Sequence, residues 1–146
     1  MRNGFKRSLT KSCAAFCVAI FGGAQIPASQ AAGRVYTETL LETQSSWDGT
    51  PYEAYPAGTP QLSVLKIVIP PGTALKWHLH DVPNAAYVAQ GSLTVERHQD
   101  GLHRSLKAGE VLPEMVKSMH RGIAGPQGAT LIVFYAGKKN VPLSRP

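Results

Sequence analysis

Apolar and polar positions between residues 62 and 137 fall into short runs with the two-residue period of a strand. "LSVLKIVI" (62–69) is rich in branched residues and stops at Pro70-Pro71-Gly72. "ALKWHLH" (74–80) alternates and ends near Asp81-Val82-Pro83-Asn84, and "AAYVAQG" closes at Gly91. "SLTVERH" and "HRSLKAG" flank Gln99-Asp100-Gly101, where the central Asp-Gly marks a hairpin. "EVLP", "SMHRG" and "ATLIVFYAG" complete the series. No helical period stands out after the first thirty or so residues. Short strands punctuated in this way predict an all-β sandwich or barrel over 61–146. Residues 32–60, with Trp47, Tyr52 and Tyr55, read as an arm packing along that barrel.

The first 31 residues follow a different pattern. Arg2, Lys6, Arg7 and Lys11 precede an apolar stretch from Cys13 to Ala24, and Ser29-Gln30-Ala31 fits a small-x-small cleavage site. This is the pattern of a cleavable secretory signal. The apolar stretch is shorter than the roughly 20 residues that cross a bilayer. The expected mature protein is therefore exported, periplasmic or secreted, and keeps no membrane anchor.

Removing that segment changes the composition. Cys13 and Cys17 are the only cysteines, so the mature chain would have no disulfide and no thiolate ligand. Four of the fifteen basic residues leave and all nine acidic ones stay, so eleven face nine and the net charge falls to +2. No basic stripe remains to hold nucleic acid.

Candidate chemistry lies in the second run. Residues i and i+2 of a strand share a face, so His78 and His80 project together, with Lys76 beside them and Trp77 and Leu79 opposite. Two imidazoles converging on one face suit a divalent metal. A polar strand face carrying two half-exposed histidines would give the same spacing.

The surrounding spacing bears on that choice. Gly72, five residues, His78, one residue, His80, three residues, Asn84, six residues, Gly91: this resembles the first motif of the cupin superfamily. Gly109 and His120 keep the glycine-to-histidine interval of the second cupin motif. That motif is otherwise reduced. Met115 and Lys117 replace its usual proline and glycine, and Ala124 replaces its usual asparagine. The resemblance spans about residues 61 to 136 and implies a double-stranded β-helix.

It also implies one divalent transition metal (Fe, Mn, Zn, Ni or Cu) held by His78, His80 and His120. The family's usual glutamate is replaced by Asn84, which can be only a weak ligand or a neighbour of the true ligands. Three neutral imidazoles around a full +2 charge would acidify bound water and favour an anionic or enolate-like ligand. Loss of the carboxylate could equally leave a metal-free ligand pocket.

Other residues have narrower readings. Glu114, six before His120, is the acidic residue nearest the second motif. It is a candidate catalytic acid/base or replacement ligand, or else a solvated turn carboxylate. Strand parity turns Tyr87 away from the pocket, Met115 and Met119 read as filler, and His98 and His103 as exposed.

Both faces of "LSVLKIVI" and "TLIVFYAG" are largely apolar, so the arm or a second subunit must cover their outer side. The resemblance favours a homodimer. Two function classes stay open. One is a metal-dependent enzyme, oxygenase-like or a lyase or isomerase, acting on a small oxygen-bearing substrate. The other is a non-catalytic protein that captures a sugar or organic acid.

Overall fold

Runs that read as separate short strands join into two long ones. In the computed structural model, which describes residues 34–146, β1 spans Pro60–Ile69, β2 Asn84–Arg97, β3 His103–Lys107, β4 Val111–Pro113 and β5 His120–Lys138. The expected secretory signal and cleavage site fall outside the described residues. The sheet order is β1-β5-β2-β3, all neighbours antiparallel, and β4 pairs with β2. Among the described residues there is no helix.

The sequence expectation of a strand end at Gly91, and of a break between "SMHRG" and "ATLIVFYAG", is corrected here. Those glycines bend β2 and β5 without ending them. Gly91 pairs with Ala129, whereas Leu93 pairs with Ala124, so the Gly125-Pro126-Gln127-Gly128 tract loops out of register. Gly91 and Gly128 both take positive φ, 73° and 78°. A one-residue change of register turns side chains to the other face. Asn84, Ala86 and Val88 accordingly point inward before the bend, and Leu93 and Val95 after it.

β5 follows suit, with His120 and Ala124 inward, then Leu131, Val133 and Tyr135. All of these except Asn84 and His120, with Ile69, Val82, Leu106 and Leu112, form one hydrophobic core. Burying a side chain of this size contributes about 1.5–3 kcal/mol. On the outer side Leu62, Val64, Val68 and Phe134 stay exposed.

Residues 44–52 pack on this framework. Ser45 and Pro51 bridge a turn, Trp47 N donates to Pro113 O at 2.9 Å, and the Trp47 ring lies against the core. Asp48 anchors the turn. It accepts hydrogen bonds from Ser46 Oγ, Thr50 N and Arg97 Nη1.

Candidate metal centre

Residues 72–80 run antiparallel to the start of β5 and bring the first two histidines to the third. Gly72 N donates to Gly125 O and Leu75 N to Gly122 O, and His78 and His120 exchange both backbone hydrogen bonds at 2.8 and 2.9 Å. Such a pair places its side chains directly opposite on one face.

The alternation expected for this stretch is broken once. Ala74 bridges Ile123 but His78 bridges His120, so one extra residue stands on the histidine strand. The extra residue is a bulge. It turns Leu75 inward in place of Lys76, which is exposed and not on the histidine face. Trp77 faces outward, with the Arg121 guanidinium 4.3 Å from its ring centre and the His98 ring against its edge.

His78, His80 and His120 converge. Their ring centres are 4.7 to 5.1 Å apart, and one nitrogen from each lies within 4.8 Å of the other two. Each ring is pinned from behind. His78 Nδ1 donates to Lys76 O at 2.8 Å, His80 Nδ1 to Leu143 O at 2.7 Å and His120 Nδ1 to Ser118 O at 2.8 Å.

A carbonyl oxygen can only accept, so each Nδ1 carries the proton and each neutral ring keeps its lone pair on Nε2. Three fixed Nε2 lone pairs converging on one point are what a divalent metal needs. The residues present fit such an ion. Burial holds His78 and His80 below the usual histidine range. Burial acts on His120 in the same direction, but the Glu114 carboxylate outweighs it and raises that ring.

The scaffold around the site includes a residue in a costly conformation. Lys117 N donates to His80 O at 2.7 Å, and Lys117 itself has φ of 57°. That is the left-handed region which favours glycine.

Behind His80, Leu79 and Arg145 exchange backbone hydrogen bonds, and Arg145 grips Asp81 with two more at 2.6 Å. Segment 143–145 thus holds the carbonyl on which the His80 ring rests.

Asn84 is buried on the inward face. Its Nδ2 turns back to Val82 O at 3.3 Å, and its Oδ1 has no protein partner. Glu114 is buried too, with Oε2 3.2 Å from His120 Nε2, and so is not a solvated turn carboxylate. Its backbone is clamped by Glu114 N to Asn84 O at 3.0 Å and by Tyr52 Oη, which donates to Glu114 O at 2.7 Å. Met115 is buried, His98 and His103 are exposed, and Tyr87 lies on the face opposite Asn84.

Tyr135 is the residue that the motif spacing did not single out. Its ring lies 5.6 Å from that of His80, and burial, reinforced by Glu114, pushes its phenol up to about 12. Continuing the alternation of Leu131 and Val133 by two residues would have found it.

The histidines, Glu114 and Tyr135 line a cavity of about 30 Å³. Leu75, Leu93, Val95, Leu131 and Val133 supply its apolar wall. That volume admits a water-sized group or two.

No known family profile and no curated protein sequence matches the chain. Solved structures do. The chain is similar to an RmlC-like cupin from Shewanella frigidimarina, with 25% identity and a TM-score of 0.47 over 54% of this chain and 68% of that one. It is similar to a double-stranded β-helix protein from Klebsiella pneumoniae, with 20% identity and a TM-score of 0.49 over 75% and 93%. The DMSP lyase DddQ from Ruegeria pomeroyi overlays with a TM-score of 0.51 at 16% identity, over 64% of this chain and 45% of the lyase. The chain spans less than half the lyase's length, and that likeness is one of fold. The all-antiparallel strand arrangement of this chain is a cupin-like double-stranded β-helix fold.

Proposed function

We propose that this chain is an exported metal-dependent enzyme of oxygenase-like type, acting on a small oxygen-bearing substrate. The observation that carries the reading is the set of three imidazoles, each with Nδ1 tied to a backbone carbonyl and Nε2 turned to a shared point. A divalent transition metal held there would supply a Lewis acid and, if redox-active, a partner for dioxygen.

The chain's own groups do the rest. Leu75, Leu93, Leu131 and Val133 give the cavity an apolar wall that disfavours water there. Tyr135, raised to about 12, keeps its proton at neutral pH and is a hydrogen-bond donor for an oxygen-bearing ligand. The small volume supports a ligand of few atoms at the site itself. Export is supported by the basic and apolar pattern of residues 1–31.

The test is elemental analysis of untagged protein recovered from its own compartment, with intact mass reporting cleavage near Ala31. Expected is about one divalent transition metal per chain, falling below about a tenth in His78→Ala, His80→Ala and His120→Ala. Full metal in all three variants would end the reading. Oxygen uptake by the loaded protein with small diketones, hydroxy acids and diols then separates oxygenase from lyase or isomerase. Binding without turnover would instead mark a capture protein.

A further inference from the structure

Asn84 and Glu114 face one another across the β2–β4 pair. Ala85 pairs with Pro113, and Glu114 N donates to Asn84 O, so positions 84 and 114 form the next rung. Side chains directly opposite in an antiparallel pair stand about 4.5–5.5 Å apart at Cβ. Both are buried, to 5% and 8% exposure. A carboxylate at either position starts from nearly the same place.

Only Glu114 of the two lines the histidine cavity, while the Asn84 amide turns back to Val82 O.

The contact between Glu114 and His120 has an unusual form. Glu114 Oε2 and His120 Nε2 are 3.2 Å apart, yet they lack the alignment of a hydrogen bond and neither has another partner. A simple ion pair would direct N–H at the oxygen. Two ligand atoms held side by side on one ion at about 2.1 Å are themselves about 3.0–3.4 Å apart. The observed separation is that of neighbouring ligands. Both atoms are left to face a common third partner.

We propose that Glu114 is the carboxylate of the metal set, carried across the strand pair from the position that Asn84 occupies. The assignment rests on the three-histidine metal reading and completes it. The centre then has three neutral nitrogens and one anionic oxygen, and a divalent ion in it carries a net charge of +1. Asn84 becomes filler on the vacated rung. Tyr52 gains a role as well, because its hydroxyl holds the carbonyl of the ligand residue. Anionic ligands should bind less readily than at a three-histidine centre.

The experiment uses the mature protein, stripped of metal and titrated with Co(II), in four forms: wild type, Glu114→Gln, Asn84→Glu/Glu114→Gln and His78→Ala. Glu114→Gln keeps the shape, and should weaken Co(II) binding at least about tenfold and alter the visible spectrum. The double variant returns the carboxylate to position 84 and should recover affinity to within about threefold of wild type. Azide should bind the Co(II) form of Glu114→Gln at least about fivefold more tightly than the wild-type form. The double variant keeps the number of buried charges and guards against a folding failure in the single one.

Wild-type affinity and an unchanged spectrum in Glu114→Gln would overturn the assignment alone. Wild-type protein that binds no Co(II), or His78→Ala that binds it normally, would overturn the three-histidine reading and this one with it.

Discussion

Adding one methyl group at Gly91 should unseat the crossing of the two long strands. An alanine Cβ there would lie 2.0 Å from Gly128 O, 2.9 Å from Gly128 C and 3.2 Å from Ala129 Cα, all backbone atoms. They cannot swing aside as a side chain can, so β2 and β5 must part by more than about 1 Å where they bend. Overpacking of this kind costs about 1–3 kcal/mol. The φ of 73° adds about 1–2 kcal/mol for a residue with a Cβ.

The sum is roughly 2–5 kcal/mol, a large share of the roughly 5–15 kcal/mol that holds a domain together. The midpoint of thermal unfolding should fall on the order of 10–25 °C. Gly125→Ala is the control. Its Cβ would lie 2.1 Å from Ser92 Oγ, a side-chain hydroxyl that can rotate, and Gly125 has no positive φ. Its loss should stay below about 1 kcal/mol. Urea unfolding in the presence of a chelator, followed by tryptophan fluorescence, reads both variants without metal. Equal losses in the two, or a Gly91→Ala loss within about 0.5 kcal/mol of wild type, would refute the reasoning.

Two further outcomes follow from local geometry. Lys117→Gly should stabilise the metal-free protein by roughly 0.5–1 kcal/mol, because relief of the left-handed conformation exceeds the chain entropy that glycine loses. The exposed Lys117–Glu53 pair it removes, at 3.4 Å, is worth little, and a lower urea midpoint would contradict the account. Asp48 is the pH test: burial pushes its carboxyl up, but Ser46, Thr50 and Arg97 together pull it below the usual range. A folded pKa below the unfolded one means stabilisation present above about pH 4 and lost as pH falls through the folded value. Asp48→Asn should therefore cost about 1–3 kcal/mol at pH 7 and progressively less as pH falls below about 4, read from urea midpoints across that range.

What the residues reveal without coordinates is uneven, and the reasons are physical. The two-residue period of "ALKWHLH" places His78 and His80 together, because parity is local and independent of what the strand packs on. Parity failed at Lys76, since a bulge depends on the partner strand and leaves no mark in composition. Gly91 and the Gly-Pro-Gln-Gly tract read as ends because a glycine that bends a strand and one that ends it look alike in sequence. Which occurs is decided by whether two such bends meet, and here Gly91 and Gly128 do. Glu114 is near His120 in sequence, but its place opposite Asn84 depends on the pairing of β2 with β4.

The hydrogen bond from His80 Nδ1 to Leu143 O joins residues 63 positions apart. The tautomer of a ring in the middle of the chain is thus set by a carbonyl three residues before Pro146, the last residue described. Until segment 143–145 has docked, that hydrogen bond is missing and the His80 ring is free to carry its proton on either nitrogen. Any metal affinity of the three imidazoles would therefore report the docking of the C-terminal segment, although no residue of that segment lines the cavity.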